Sequence, residues 1–162
     1  MTPLKVISYK LKATGFTLLE VVIVIAIIGL ISTIIIIPLA GLREKQALKG
    51  GAEEALSLLS EARIKTLGSE GDSQYGVRFD RDKMVLFKGA AYIAGAADNR
   101  EIMLDNLIEA TTVSLAGGGD EVIFKRLTGK TDEIGTVTLS LKSDGTQMTT
   151  ISIGLTGVAG LN

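Results

Sequence analysis

Apolar and polar residues change their spacing three times along this chain. Residues 1–15 are mixed and hold Lys5, Lys10 and Lys12 with no acid. Residues 16–37 are apolar almost without a break, and Glu20 is their one charge. At about 1.5 Å per residue a helix over that run spans roughly 33 Å, against a hydrocarbon core of about 30 Å. The run ends in four consecutive isoleucines, Ile34–Ile37, which are poor helix formers in water. In lipid the demand for internal hydrogen bonding overrides that propensity. Pro38 is expected to end or kink this segment.

Beyond Pro38 the spacing becomes that of an amphipathic helix. Leu48, Ala52, Ala55, Leu56, Leu59 and Ala62 recur at steps of three and four. Leu48, Leu56 and Leu59 are expected to cover the inner side of a sheet. Gly50-Gly51 interrupts the pattern at a cost of about 1 kcal/mol per glycine. One rod is still expected from Phe16 to about Leu67, closed by Gly68.

From Gly71 the period is two. Tyr75, Val77 and Phe79 alternate with polar neighbours, residues 80–83 make a turn, and Met84–Phe87 return as a hairpin. Gly89–Asn99 reads as a loop. Strands are expected at Ile102–Leu107, Thr111–Leu115, Glu121–Leu127, Thr136–Lys142 and Met148–Ile153, with Ser143-Asp144-Gly145 turning the last pair. The Gly-rich tail, Gly154–Asn162, is expected to fray or add an edge strand. A long helix followed by strands is an α+β order.

Composition sharpens this picture. Hydrophobic residues make up 46% of the chain and aromatics 4%, so a folded core has to be largely aliphatic. The absence of Cys and His removes thiol catalysis, zinc sites of the usual kind and imidazole acid–base chemistry. Three of the 17 basic residues sit in the first fifteen, which leaves 14 against 18 acidic residues beyond them, a balance of −4. A basic tip ahead of a mildly acidic body suits a membrane protein with a cytoplasmic N-terminus. It does not suit a nucleic-acid binder, which presents a basic surface. A cleaved secretory signal would have a shorter apolar stretch followed by a small-residue site, and neither is present.

The segment Gly15-Phe16-Thr17-Leu18-Leu19-Glu20, entering an apolar helix behind a short basic leader, resembles the type IV pilin precursor motif. The resemblance implies cleavage by a prepilin peptidase between Gly15 and Phe16, and methylation of the Phe16 amine. Glycine suits such a site because it offers an extended backbone without side-chain clash. A carboxylate inside a spanning helix is costly and seeks a partner. The resemblance pairs Glu20 with the cationic amine of Phe16 on a neighbouring subunit; the simpler alternative is that Glu20 snorkels to water at the inner interface. The helix-breaking proline of this family often lies one residue nearer the cut than Pro38, and the Cys pair of many major pilins is missing.

Three phrases in the rest of the chain, Tyr75–Asp80, Leu86–Gly89 and Val122–Phe124 with Leu127–Gly129, are similar to the minor pseudopilin H (GspH) and FimT-like group. That group implies a pilin-like α+β fold, with a long N-terminal helix, half transmembrane and half amphipathic, packed on an antiparallel β-sheet head. The implied organisation is a cleaved leader over 1–15, a transmembrane and assembly helix over 16–37, its amphipathic continuation over 38–68 and a β-rich head over 69–162.

The implied function is that of a non-enzymatic, minor structural subunit of a type II secretion pseudopilus. Its partners would be prepilin peptidase, other pilin or pseudopilin subunits and an inner-membrane assembly platform. The chain would sit in the bacterial inner membrane with the head periplasmic or extracellular before entering a filament. The alternative is a type IV pilus minor pilin for adhesion, motility or DNA uptake, with the head as a binding module. Arg78, Arg81, Lys83 and Lys88 cluster near one hairpin but are interleaved with Asp80 and Asp82, so a nucleic-acid partner is weakly signalled. No cofactor or metal is expected. Gly117–Asp120 and the Gly129-Lys130-Thr131 triplet lack the spacing of a phosphate loop. Asp80, Asp82, Asp98 and Asn99 fit turn chemistry as well as a calcium site.

Overall fold

The structure, a computed structural model, describes residues 15–162, with the side chains of residues 33–40 outside the description. The chain divides between Ala40 and Gly41 into two compact units. Helix α1 is assigned over Leu18–Leu67, close to the expected rod. The kink expected at Pro38 falls among residues 33–40 and so lies outside the described side chains.

In the first unit every residue from Gly15 to Ser32 is exposed, the apolar ones included. The Ser32 hydroxyl donates to the Ile28 carbonyl at 2.7 Å, so its polar group is satisfied within the helix.

The second unit contains eight strands: β1 Tyr75–Phe79, β2 Lys83–Lys88, β3 Arg100–Met103, β4 Ile108–Leu115, β5 Glu121–Ile123, β6 Gly135–Leu141, β7 Met148–Ile153 and β8 Ala159–Leu161. They form two four-stranded antiparallel sheets rather than one. Sheet A has the order β3-β2-β1-β5, and sheet B the order β4-β6-β7-β8. The change of sheet comes where β4 pairs with β6 and with neither β3 nor β5.

Strand ends differ from expectation where local turns intervene. β3 begins at Arg100 and stops at Met103, ahead of a turn in which Asp105 accepts the Leu107 N–H on its side chain and the Ile108 N–H on its carbonyl. β5 stops at Ile123, and Lys125–Lys130 close a turn in which Leu127 holds a left-handed φ of 66°. The Gly-rich tail makes an ordered edge strand, β8, through Ser152 paired with Gly160. In the β6–β7 turn, the Thr146 hydroxyl and N–H donate to Asp144 and hold its carboxyl below the ordinary aspartate value.

One core joins the helix to both sheets. Ala52, Ala55, Leu58, Leu59 and Ala62 share a cluster with Val77, Phe79 and Met84 of sheet A and with Val137, Leu139 and Ile151 of sheet B. The expectation for Leu48 and Leu59 holds, whereas Leu56 is only half-buried and Leu58 is enclosed in its place, 1% exposed. At about 100° per residue, the buried arc is centred near Ala55 and Ala62. Leu58 lies inside that arc and Leu56 at its margin, a sense of rotation that periodicity alone leaves open.

The two adjacent glycines of the helix are not equivalent. A side chain at Gly50 would enter open space, but a Cβ at Gly51 would stand 2.3 Å from Cδ1 of the fully buried Ile108. Gly51 therefore lets sheet B approach the helix, and Gly50 only weakens it. At the helix end, the buried Thr66 hydroxyl donates to the Ala62 carbonyl at 2.8 Å and accepts the Tyr75 N–H at 2.9 Å, tying the last turn to β1.

The outer face of sheet A has a cover of its own. Phe87 and Val85 are buried there, the Phe87 ring meets the Tyr92 ring edge-on at 5.8 Å, and the Arg78 guanidinium lies 5.1 Å from the same Tyr92 ring. The loop 89–99 thus straps the back of the sheet.

A fragment beginning at Gly41 is expected to be a soluble, folded monomer, and gel filtration with circular dichroism checks this. In its urea unfolding, Leu58→Ala should cost about 2–5 kcal/mol and Leu56→Ala distinctly less. In the same assay Gly50→Ala should stabilise by about 0.5–1 kcal/mol through helix propensity, while Gly51→Ala should destabilise by displacing Ile108. Equal effects at the two glycines would contradict the packing described.

Candidate assembly and processing site

The functional residues expected from the sequence gather where the apolar helix begins. Thr17 precedes the first helical residue, Leu18. Its side-chain oxygen accepts the Glu20 N–H at 3.3 Å, and its carbonyl accepts the Val21 N–H at 3.2 Å. Thr17 is therefore the N-cap and Glu20 the third helical residue, which is the spacing of a capping box. The Thr-x-x-Glu signature was legible in the sequence ahead of an apolar run, and reasoning about membrane charge alone passes over it. It gives Glu20 a local task, because a carboxylate in the first turn complements the helix dipole.

Gly15 and Phe16 lie just ahead of that cap. A Cβ at Gly15 would meet nothing within 4 Å among the described residues. Packing among the described residues does not call for glycine at this position. Phe16 is 81% exposed, an unusual state for an aromatic ring that water does not favour. The structure thus sets Gly15, Phe16, Thr17 and Glu20 along one short segment open to another molecule. Pro38, also singled out by sequence, lies outside the described side chains.

Among the described residues no helix is long and apolar enough to cross a membrane. The apolar run of residues 16–37 continues past Ser32 into residues 33–40, beyond the described side chains.

The head offers no comparable chemistry. Gly117 and Gly118 turn the chain between β4 and β5 with φ of 100° and 73°. Gly129, with φ 60°, belongs to the turn after β5, and no helix follows it. Asp80 and Asp120 face Arg78 at 2.9 and 3.6 Å, Asp82 faces Lys142 at 3.3 Å, and the Asn99 amide donates to the Ile93 carbonyl at 2.7 Å. Among the described residues no cluster of carboxylates is arranged to hold a metal ion.

The hairpin cations are largely committed. Arg78 pairs with Asp80, Arg81 with Glu109 and Lys83 with Glu101, each within 3 Å. Hydrogen bonding to Glu109 and Glu101 raises the pKa of Arg81 and Lys83, whose charges are held against carboxylates rather than presented as a bare basic stripe.

Comparison with known families bears on the same segment. Residues 10–36 match the prokaryotic N-terminal methylation motif. That motif supports the type IV pilin and pseudopilin family, and it implies a pilin-like subunit processed by prepilin peptidase and assembled with other pilins. The α+β arrangement of an N-terminal helix and antiparallel sheets is consistent with a pilin-like fold. No curated protein and no solved structure matches the chain.

Mass spectrometry of the protein extracted from membranes of cells that express a prepilin peptidase should find an N-terminus at Phe16 carrying one added methyl group. An intact Met1 in those cells would rule out processing at Gly15.

Proposed function

We propose that this chain is a minor structural subunit of a type II secretion pseudopilus. Residues 16–37 anchor it in the bacterial inner membrane, with the N-terminus cytoplasmic and the head on the far side. After cleavage between Gly15 and Phe16, the Glu20 carboxylate pairs with the methylated Phe16 amine of a neighbouring subunit and selects one axial register between helices. The observation that carries this reading is the methylation motif, with an exposed Gly15-Phe16 and a first-turn carboxylate at its centre.

Physical reasoning favours the pairing. Apolar contact between greasy helices discriminates poorly between registers, whereas two opposite charges removed from water strongly favour meeting each other. The choice of a pseudopilus over an adhesive or DNA-binding pilus rests on the three hairpin phrases that resemble the GspH and FimT-like group. Carboxylate pairing of Arg78, Arg81 and Lys83 is also the weaker basis for a DNA-binding head. The helix and head act as structure and contact surface, with no catalytic step.

Glu20→Ala and Glu20→Gln together separate the charge from the cap. Glutamine at the third helical position retains capping-box hydrogen bonding but not charge. Both variants should be cut and reach normal membrane levels, and both should be lost from sheared filaments. Wild-type incorporation of Glu20→Ala would remove the assembly role. Loss with alanine and full incorporation with glutamine would assign Glu20 to helix capping.

A further inference from the structure

Most arginines of the head are paired with carboxylates. Arg78 meets Asp80, Arg81 meets Glu109, Arg100 meets Glu61 and Arg126 meets Asp72. Arg43 has no such partner, but it is exposed to water. Arg63 is neither paired nor exposed. It is half-buried, its Nε–H is shared between the carbonyls of Gly129 and Thr156, and it meets no carboxylate. All 18 acidic residues of the chain lie among the described residues, so no carboxylate side chain is left out of this comparison.

The sequence keeps acids away from Arg63 on every side. One helical turn from it stand Leu59, Ser60, Thr66 and Leu67. The two loops that it clasps, residues 127–131 and 154–158, contain no acid. Lys130 in the first of them is exposed and forms no ion pair. The carbonyls held by Arg63 are dipoles and do not cancel its charge. Positive charge is therefore left uncompensated beside the last turns of the helix.

The backbone around the guanidinium is shaped to hold it. Gly157 has a left-handed φ of 74°, and a Cβ there would stand 2.0 Å from the Gly129 carbonyl oxygen and 3.2 Å from Arg63 Nε. A Cβ at Gly129 would stand 3.2 Å from Arg63 Cγ. These two glycines let both loops close on the side chain, and the Nε–H bonds fix the plane of the guanidinium. The donors on its terminal nitrogens bond to no described residue, and neither nitrogen is sealed from solvent.

Beside Arg63 lies a recess of about 110 Å³, lined also by Leu56, Ser60, Gly157, Val158 and Ala159. Ser60 precedes Arg63 by three residues on one helical face, and its hydroxyl has no partner among the described residues. Cofactor and substrate pockets occupy roughly 300–1,000 Å³, so this recess takes one small group. Its surroundings are apolar. Val158 is 59% exposed, and Leu127 and Leu155 are exposed in the clasped loops. A free anion would bury none of that surface, whereas a side chain carried on a polypeptide would bury it. Arginine within an apolar rim is also the composition of residues that dominate protein recognition.

We propose that Arg63, with Ser60, binds the carboxylate of an Asp or Glu side chain on a partner polypeptide, whose apolar residues beside that acid lie on Val158 and the exposed leucines. The terminal nitrogens of a guanidinium form a planar fork that matches a carboxylate, and this one is already held in place by its Nε–H bonds. A phosphate carries more charge and more acceptor oxygens, and would leave some of them unmatched against the apolar rim. The site lies on the head and does not depend on Glu20.

The full chain, isotope-labelled and purified in detergent micelles, allows the test by proton–nitrogen spectra of the Arg63 Nε–H and the Gly157 N–H. Acetyl-Leu-Glu-Leu-amide should shift these resonances saturably. Its half-saturating concentration should lie at least about tenfold below those of sodium acetate and inorganic phosphate at matched ionic strength. Acetyl-Leu-Gln-Leu-amide, which keeps the apolar flanks, should not saturate them. Arg63→Lys should weaken the glutamate peptide at least about tenfold, because an ammonium lacks the fork. Two further variants leave Arg63 and its loop contacts in place. Ser60→Ala should weaken binding by about threefold, the loss of one modest hydrogen bond. Val158→Asp sets a carboxylate of the chain's own at the recess and should weaken binding at least about tenfold, with an unchanged circular dichroism spectrum. The proposal is overturned by any of four results: no saturation by the glutamate peptide, an equal response to the glutamine peptide, acetate or phosphate binding as tightly as the peptide, or wild-type binding by a folded Val158→Asp. None of these bears on the filament reading, which the Glu20 variants test separately.

Discussion

The fold of the head depends on how closely its two sheets can approach one helix. Ala52, Ala55 and Ala62 line the buried arc, and Gly51 leaves room for Ile108 of sheet B. Larger residues here would hold the sheets away from the helix and open voids around Leu58 and Leu59, which fill the remaining space. With no Trp and few aromatic rings, the core has little bulk with which to bridge such gaps. A small-residue helix face is therefore the condition on which the aliphatic core closes.

Polar contacts then fix what apolar packing leaves loose. Thr66 ties the last helical turn to Tyr75, and Arg63 Nε donates to the carbonyls of Gly129 and Thr156 at 3.2 and 3.3 Å, drawing two loops against the helix. Arg100 with Glu61 and Ser143 with Glu44 add surface contacts between the helix and each sheet. Such exposed pairs contribute little energy individually.

The N-terminal segment is built to other demands. Its apolar residues are exposed through Ser32, and its polar groups are handled within the helix by Thr17 and Ser32. A surface of this kind is stable when lipid or other helices surround it, which agrees with a methylation motif over residues 10–36. The head buries its apolar residues in its own core, whereas the N-terminal segment leaves its apolar residues exposed through Ser32.

Sequence alone determined the elements whose signals are local. The apolar run, the long helix, the hairpin of β1 and β2 and the strands β6 and β7 follow from periodicity and turn chemistry over a few residues. The tertiary structure decided what depends on distant partners. Whether Leu56 or Leu58 faces the core turns on which side of the helix the sheets close. Whether the strands form one sheet or two turns on β4 choosing β6, a pairing between segments separated by β5 and two turns. The different tasks of Gly50 and Gly51, identical neighbours in sequence, come from Ile108 alone. Periodicity records that a residue is apolar or small, but only packing states which neighbour made that necessary.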